Sequence, residues 1–271
     1  MRLLLLPVFS LFFCFVLSAQ VQIRGVDNAA ALALGGATIA LPKPSAGIQN
    51  EALLPVSGKM AFFVASALPF GIGDYQSAQA QAAFRLDKNS GVGLEFAYSG
   101  IELYREQRVR LGYGRRLGER VSLGGNLDWL QANAQEYGNK NALTFGLSML
   151  AQALPTLSIG AKIQNPLQTK LGDSKLPAQF RLGACWKPGE QFAFSSEVEK
   201  IIDRPAQIKA GIEYLPTDLL VLRAGVRGGG IGRAGFGVGL RFKNGLGLDF
   251  GTEWDPYLGF TPAAMIRWRK E

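Results

Sequence analysis

The sequence predicts an all-β fold: a 14-stranded antiparallel transmembrane β-barrel with a short plug-like segment at its N-terminal end. Three observations predict it. After residue 57, apolar residues alternate with small or charged ones at period two. The alternating runs last about ten residues and are divided by turn residues, as tilted bilayer-crossing strands require. An export-type leader precedes them, and no later segment is long and apolar enough to span as a helix.

The leader reads MRLLLLPVFSLFFCFVLSAQ. Arg2 precedes an apolar run from Leu3 to Leu17, and Ser18 and Ala19 supply small residues for cleavage. That run is shorter than the ~20 residues of a spanning helix. Residues 1–19 are therefore expected to be a signal peptide cut between Ala19 and Gln20. Cys14 lies inside the apolar run, which argues against lipoprotein processing. The expected destination is the outer membrane, with outer-membrane lipid as the first partner. Cys185 is then the one cysteine of the mature chain, so no intramolecular disulfide forms.

Residues 20–56 form a lead-in. From Val26 to Val56 the segment has no strand period and is rich in small residues. It is expected to form a short helix and loops, either plugging the barrel or lining its periplasmic mouth. Residues 57–271 are the barrel, and no linker or low-complexity tract divides them.

The fourteen expected strands run over 58–68, 75–86, 91–101, 106–117, 120–131, 141–152, 155–165, 177–187, 190–200, 205–215, 218–227, 231–242, 245–254 and 257–269. One set of connections is tight, such as Gly118-Glu119 and Lys243-Asn244-Gly245. The other set is longer: SGIELYRE, QANAQEYGNK, NPLQTKLGDSKLP and RGGGIG. Short periplasmic turns alternating with longer external loops suit an up-and-down barrel.

Period two leaves the facing open, because a soluble sandwich alternates in the same way. Three features favour a lumen on the polar face. Glycines such as Gly112, Gly124, Gly235 and Gly251 sit there, where a crowded lumen would need space for long neighbours. Arginines and carboxylates share that face, and facing pairs would compensate each other's desolvation. Tyr98, Tyr113, Trp129, Trp186, Tyr214, Trp254 and Trp268 collect near strand ends on the apolar face, like an interfacial girdle. Arg223, Arg233, Arg241, Asp249, Glu253 and Arg267 come from four consecutive strands. They are expected on one luminal wall as a mixed-charge cluster.

The chemistry of the chain excludes several function classes. There is no histidine, so no His-based triad or His-metal site exists. Gly230-Ile231-Gly232-Arg233-Ala234-Gly235 matches a dinucleotide fingerprint, but a strand pattern follows it where a helix is needed. Glu197 and Glu199 share a strand face and read as luminal ion-pair members. The formal charge of +8 is spread along the strands with no basic patch in the sequence, and the leader implies export. Nucleic acid is not an expected partner. No catalytic residue, cofactor or metal is expected, and the chain does not read as an enzyme.

Gly35-Gly36-Ala37, followed by Asn50-Glu51-Ala52, resembles the start of the PorV/PorQ-type proteins of Bacteroidetes, within the wider FadL-like outer-membrane barrels. Those carry Asn-Pro-Ala at the second position, so Glu51 replaces the proline. The resemblance implies a fourteen-stranded barrel. It also implies an accessory or structural role linked to type IX-like secretion or envelope organisation, with secretion-system or envelope proteins as partners. The alternative it implies is a FadL-like channel for small or hydrophobic solutes. Short external loops depart from a cargo shuttle, and a charged lumen departs from a fatty-acid conduit.

Overall fold

The structure, a computed structural model, describes residues 28–136 and 138–270; the expected signal peptide and its Ala19–Gln20 cleavage site lie outside them. Sixteen strands follow in chain order: β1 (Met60–Ala67), β2 (Gln76–Arg85), β3 (Ser90–Ile101), β4 (Tyr104–Arg116), β5 (Val121–Ala134), β6 (Gly138–Leu154), β7 (Leu157–Gln164), β8 (Lys170–Leu171), β9 (Ser174–Lys175), β10 (Gln179–Trp186), β11 (Phe192–Ile201), β12 (Gln207–Tyr214), β13 (Leu220–Gly228), β14 (Arg233–Arg241), β15 (Leu246–Asp255) and β16 (Gly259–Lys270). The pair β8–β9 is a small hairpin of its own. The other fourteen form a closed antiparallel barrel in which each strand pairs with its sequence neighbours. Closure runs from Met60↔Lys270 to Ala67↔Ala263, so no sheet edge is left unpaired.

Both termini of the barrel lie at one end. The connections there have two to five residues, whereas the opposite end carries the fourteen-residue segment 165–178 with its β8–β9 hairpin. The termini therefore mark the periplasmic end. Two expected long loops are absent: only Glu102 and Leu103 separate β3 from β4, and most of QANAQEYGNK belongs to the β5–β6 ladder, with Ala134 opposite Gly138. Most of SGIELYRE belongs to the ladder, with Ile101 opposite Tyr104, because its alternation continues into both strands. Of residues 230–235, the first three belong to the β13–β14 connection and the last three open β14, with no helix after them.

The outer face carries the apolar residues. Leu111, Leu127, Leu147, Leu182 and Phe236 are all exposed there, while the alternate positions of the same strands are mostly glycine, polar or charged and turn inward, with Leu130, Ala132 and Ala142 as an apolar cluster near the external end. Aromatic rings stack near the periplasmic ends of this face: Phe62 with Trp268 at 5.9 Å, and Phe192 with Tyr214 at 4.6 Å. Trp129 departs from the girdle pattern and sits within β5, opposite Leu143. The inner face meets the N-terminal segment, which lies in the lumen. Its short helix α1 (Ala29–Ala33) is buried throughout, as is most of the chain from Asn28 to Leu54.

Candidate functional site

Local chemistry shapes the plug before the barrel receives it. The Asn28 side chain accepts from the Ala31 amide at 3.0 Å and starts α1. Gly35 and Gly36, at φ of 60° and 80°, end it in the left-handed region that glycine tolerates. The Asn50 side chain likewise accepts from the Ala52 amide at 3.0 Å and caps the 3₁₀ turn Glu51–Val56. Gly35, Gly36 and Ala37 thus follow the end of α1, and Asn50 and Ala52 open the 3₁₀ turn. Ala37 and Ala52 are buried.

A belt of luminal glycines seats this segment. A Cβ on Gly235, Gly251 or Gly160 would lie deep inside the van der Waals radius of the carbonyl oxygens of Leu32, Ala29 and Ile39. On Gly91 and Gly211 it would come within 2.7 Å of the carbonyl oxygens of Leu54 and Leu34. The sequence suggested space for long side chains, and that holds at Gly239 and Gly247, which face Asp249 and Arg267. Around most of the belt, however, the space is taken by plug backbone, which cannot swing aside as a side chain can. Gly235→Val is accordingly expected to cost ~1–3 kcal/mol of plug seating through overpacking. Planar-bilayer conductance should rise in this variant while the unheated gel mobility of the barrel stays unchanged. Wild-type conductance would contradict the seating.

Polar contacts pin the plug to the wall. The Glu197 carboxylate accepts from the Thr38 and Ile39 amides, both at 3.0 Å. The Asn50 side chain donates to the Met149 carbonyl at 3.0 Å, and Ser158 Oγ donates to the Ala40 carbonyl at 2.7 Å. Glu51, between Asn50 and Ala52, ties the plug to three strands. Its carboxylate lies 2.7 Å from Lys162 Nζ and 3.4 Å from Arg110, and accepts from Ser148 Oγ at 3.2 Å. Burial alone would raise its pKa, but Lys162 and Arg110 hold it below the ordinary carboxylate value.

Above the plug, toward the external end, the lumen opens into a cavity of about 260 Å³. Gly36 and Gln49 of the plug form part of its lining, and Leu176 and Pro177 of the 165–178 segment bound it at the external side. Asn165 fixes that segment by donating to the Leu176 carbonyl at 2.7 Å. The wall is a series of ion pairs: Arg108–Glu95 at 2.6 Å, Arg110–Asp128 at 2.7 Å, Arg181–Glu197 at 2.6 Å and Lys209–Glu199 at 2.6 Å. Each charge compensates the desolvation of its partner in a space too narrow to hydrate both.

All six residues expected in one luminal cluster face inward, but they divide into two groups. Arg223 bridges Glu213 at 2.8 Å and Asp249 at 2.6 Å; Arg241 and Arg267 join the same carboxylates at 3.1 and 3.3 Å. This group lies in the periplasmic half. Arg233 pairs with Asp255 at 2.7 Å and Glu253 at 3.5 Å in the external half. Between them α1 rests on Gly235 and Gly251, so the plug separates charges that share one wall. Glu51, Lys162 and Lys209 were not singled out by the sequence. Lys162 and Lys209 do fall at inward parity on their strands, but nothing local marks Glu51, whose partners are over a hundred residues away in β7 and fifty-nine away in β4.

No family model matches the chain, and no curated protein matches it significantly. Solved structures do resemble it. The toluene transporter TbuX of Ralstonia pickettii aligns over 90% of this chain and 98% of its own, with a TM-score of 0.66 and 13% identity. The monoaromatic hydrocarbon channel CymD aligns over 89% and 95%, with a TM-score of 0.67 and 13% identity. A FadL homologue of Pseudomonas aeruginosa aligns over 92% and 99%, with a TM-score of 0.67 and 10% identity. At these identities the likeness is one of fold. It supports an outer-membrane β-barrel of FadL-like architecture.

Proposed function

We propose that this chain is a non-enzymatic outer-membrane channel for small polar solutes, held closed by its N-terminal plug. The observation that carries the reading is the cavity of about 260 Å³ that is lined by ion pairs on its walls and bounded by the plug. A solute entering from outside would meet hydrogen-bonding and charged groups, then Gly36 and Gln49. The fold likeness to hydrocarbon channels supports transport as the general role. The lining argues for a different solute, since a hydrocarbon gains nothing where it displaces water from charged groups. The secretion-linked role rests on the N-terminal motif alone, and no further observation favours it. That motif has a structural account here, because its residues cap and seat the plug.

Two measurements test the reading. The purified barrel is expected to bind no long-chain fatty acid in a saturable manner, and to pass only small currents in planar bilayers. Deleting residues 26–40 should raise those currents, because it removes α1 and its seat on the glycine belt. Stoichiometric fatty-acid binding that is lost on the same deletion would replace the polar solute with a hydrophobic one. Unchanged current after deletion would remove the channel reading.

A further inference from the structure

We infer that the solute is a small hydrophilic anion, drawn inward by an excess of positive charge at successive levels of the barrel axis. The inference rests on the channel reading above and names its solute class. Three features of the described residues support it, the second and third sharing Arg241 and Glu213.

The first lies in the external cavity. Eight Lys and Arg side chains line it against three carboxylates, Glu95, Asp128 and Glu199. The other carboxylates of the ion pairs lie behind their partners. Arg110 keeps 13% of its side chain exposed against 3% for Asp128, and Arg181 keeps 13% against 0% for Glu197. Lys209 and Glu199 reverse this order, so that pair does not contribute. A solute in the cavity therefore meets mainly the cationic ends of oriented pairs, and rings of Arg and Lys favour anions in pores.

The second lies beneath the plug. Arg223, Arg241 and Arg267 share only two carboxylates, Glu213 and Asp249. Arg223 Nη2, Arg241 Nε and Arg267 Nη2 are buried donors with no hydrogen-bond partner. Asp249 Oδ2 is the one acceptor of the group likewise without a hydrogen bond, so donors outnumber it three to one, and a net-positive guanidinium group of this kind is chemically suited to a carboxylate or a similar oxyanion.

The third is the periplasmic rim. Taking each connection with the last two residues of its strands, and the lead-in 57–59, this rim holds eleven Lys and Arg against five carboxylates. The external rim, counted in the same way, holds seven against six. Lys59, Lys88, Arg120, Lys243 and Lys270 form no ion pair among the described residues. Most of the excess lies on the half of the rim that runs from the β14–β15 turn through β16 and β1 to β5. Charge of one sign at the mouth of a low-dielectric cleft raises the local concentration of counter-ions. An anion leaving the lumen thus meets a rim with a net positive charge.

The test is a reversal-potential measurement on the full chain in planar bilayers under a roughly tenfold KCl gradient. The uncharged Gly235→Val substitution loosens the plug without altering the charge count. Chloride is expected to permeate better than potassium, by about threefold or more, because rings of Arg and Lys favour anions in pores. Arg241→Gln with Arg267→Gln should move the ratio toward unity. Lys59→Gln with Lys88→Gln and Arg120→Gln should do so too, and these exposed residues lie outside every ion pair of the fold. Lys170→Gln with Lys175→Gln, on the external segment, should leave the ratio unchanged. A current without selectivity, or one that prefers potassium, would overturn the anion inference and leave the channel standing. No current from the loosened variant would instead remove the channel reading itself.

Discussion

Replacing Glu51 with leucine is expected to release the plug while leaving the barrel wall intact. The carboxylate is buried and faces Lys162 and Arg110 together. Arg110 keeps Asp128 at 2.7 Å, but Lys162 loses its closest ion-pair partner in a site where it is only 6% exposed. Breaking a buried pair by removing one member costs ~3–5 kcal/mol, because the other charge stays desolvated. None of that energy comes from the strand ladder, so the unheated gel mobility should not change. Protease should cut within residues 28–56 of the folded variant in detergent. Glu51→Leu combined with Lys162→Met should recover most of the protection, since it removes the orphaned charge. Protection equal to wild type in the single variant, or a double variant as labile as the single, would contradict the pinning role. The same tie sets an acid limit. Because the Glu51 pKa is lowered on folding, its contribution is complete above the ordinary carboxylate range. It is lost as the pH falls through the lowered value.

Phe250→Arg carries the second large effect. Phe250 lies midway along β15 on the outer face, 54% exposed, between Val238 and Ala264 of the neighbouring strands. A cation near the bilayer midplane of a barrel costs ~2–4 kcal/mol. Gly247→Ala, on the luminal side of the same strand, should cost much less. There the new methyl meets the Arg267 side chain, which can shift. Denaturant titration of folding into phospholipid vesicles separates the two. Equal stabilities would mean that the outer face does not contact lipid.

The wall of the barrel was legible in the sequence because alternation is a property of the extended backbone itself. Successive side chains of a strand point to opposite faces, so one run of residues reveals both its length and its two surfaces. Leu246, Leu248 and Phe250 against Gly247, Asp249 and Gly251 suffice to orient β15. The asymmetric loops were only partly legible: SGIELYRE looked like a connection, yet all of it but Glu102 and Leu103 is paired in the β3–β4 ladder. Glu51 was visible only as a departure from a family motif. Its meaning depends on Lys162 and Arg110, which lie on strands that no local pattern associates with it.

By itself, then, the sequence determined the number of barrel strands, their order and, for strands that alternate as β15 does, which face turns inward, all from period and turn chemistry. Tertiary structure alone decided what the inner face meets. Closure brings β16 beside β1, and so gathers Lys59, Lys270 and Arg85 onto one rim although they are spread along the chain. It also wraps the glycine belt around a segment that shows no strand period. The physical reason is the range of the interactions. Alternation arises between neighbouring residues, whereas luminal pairing and rim charge depend on distances that exist only once the sheet has closed.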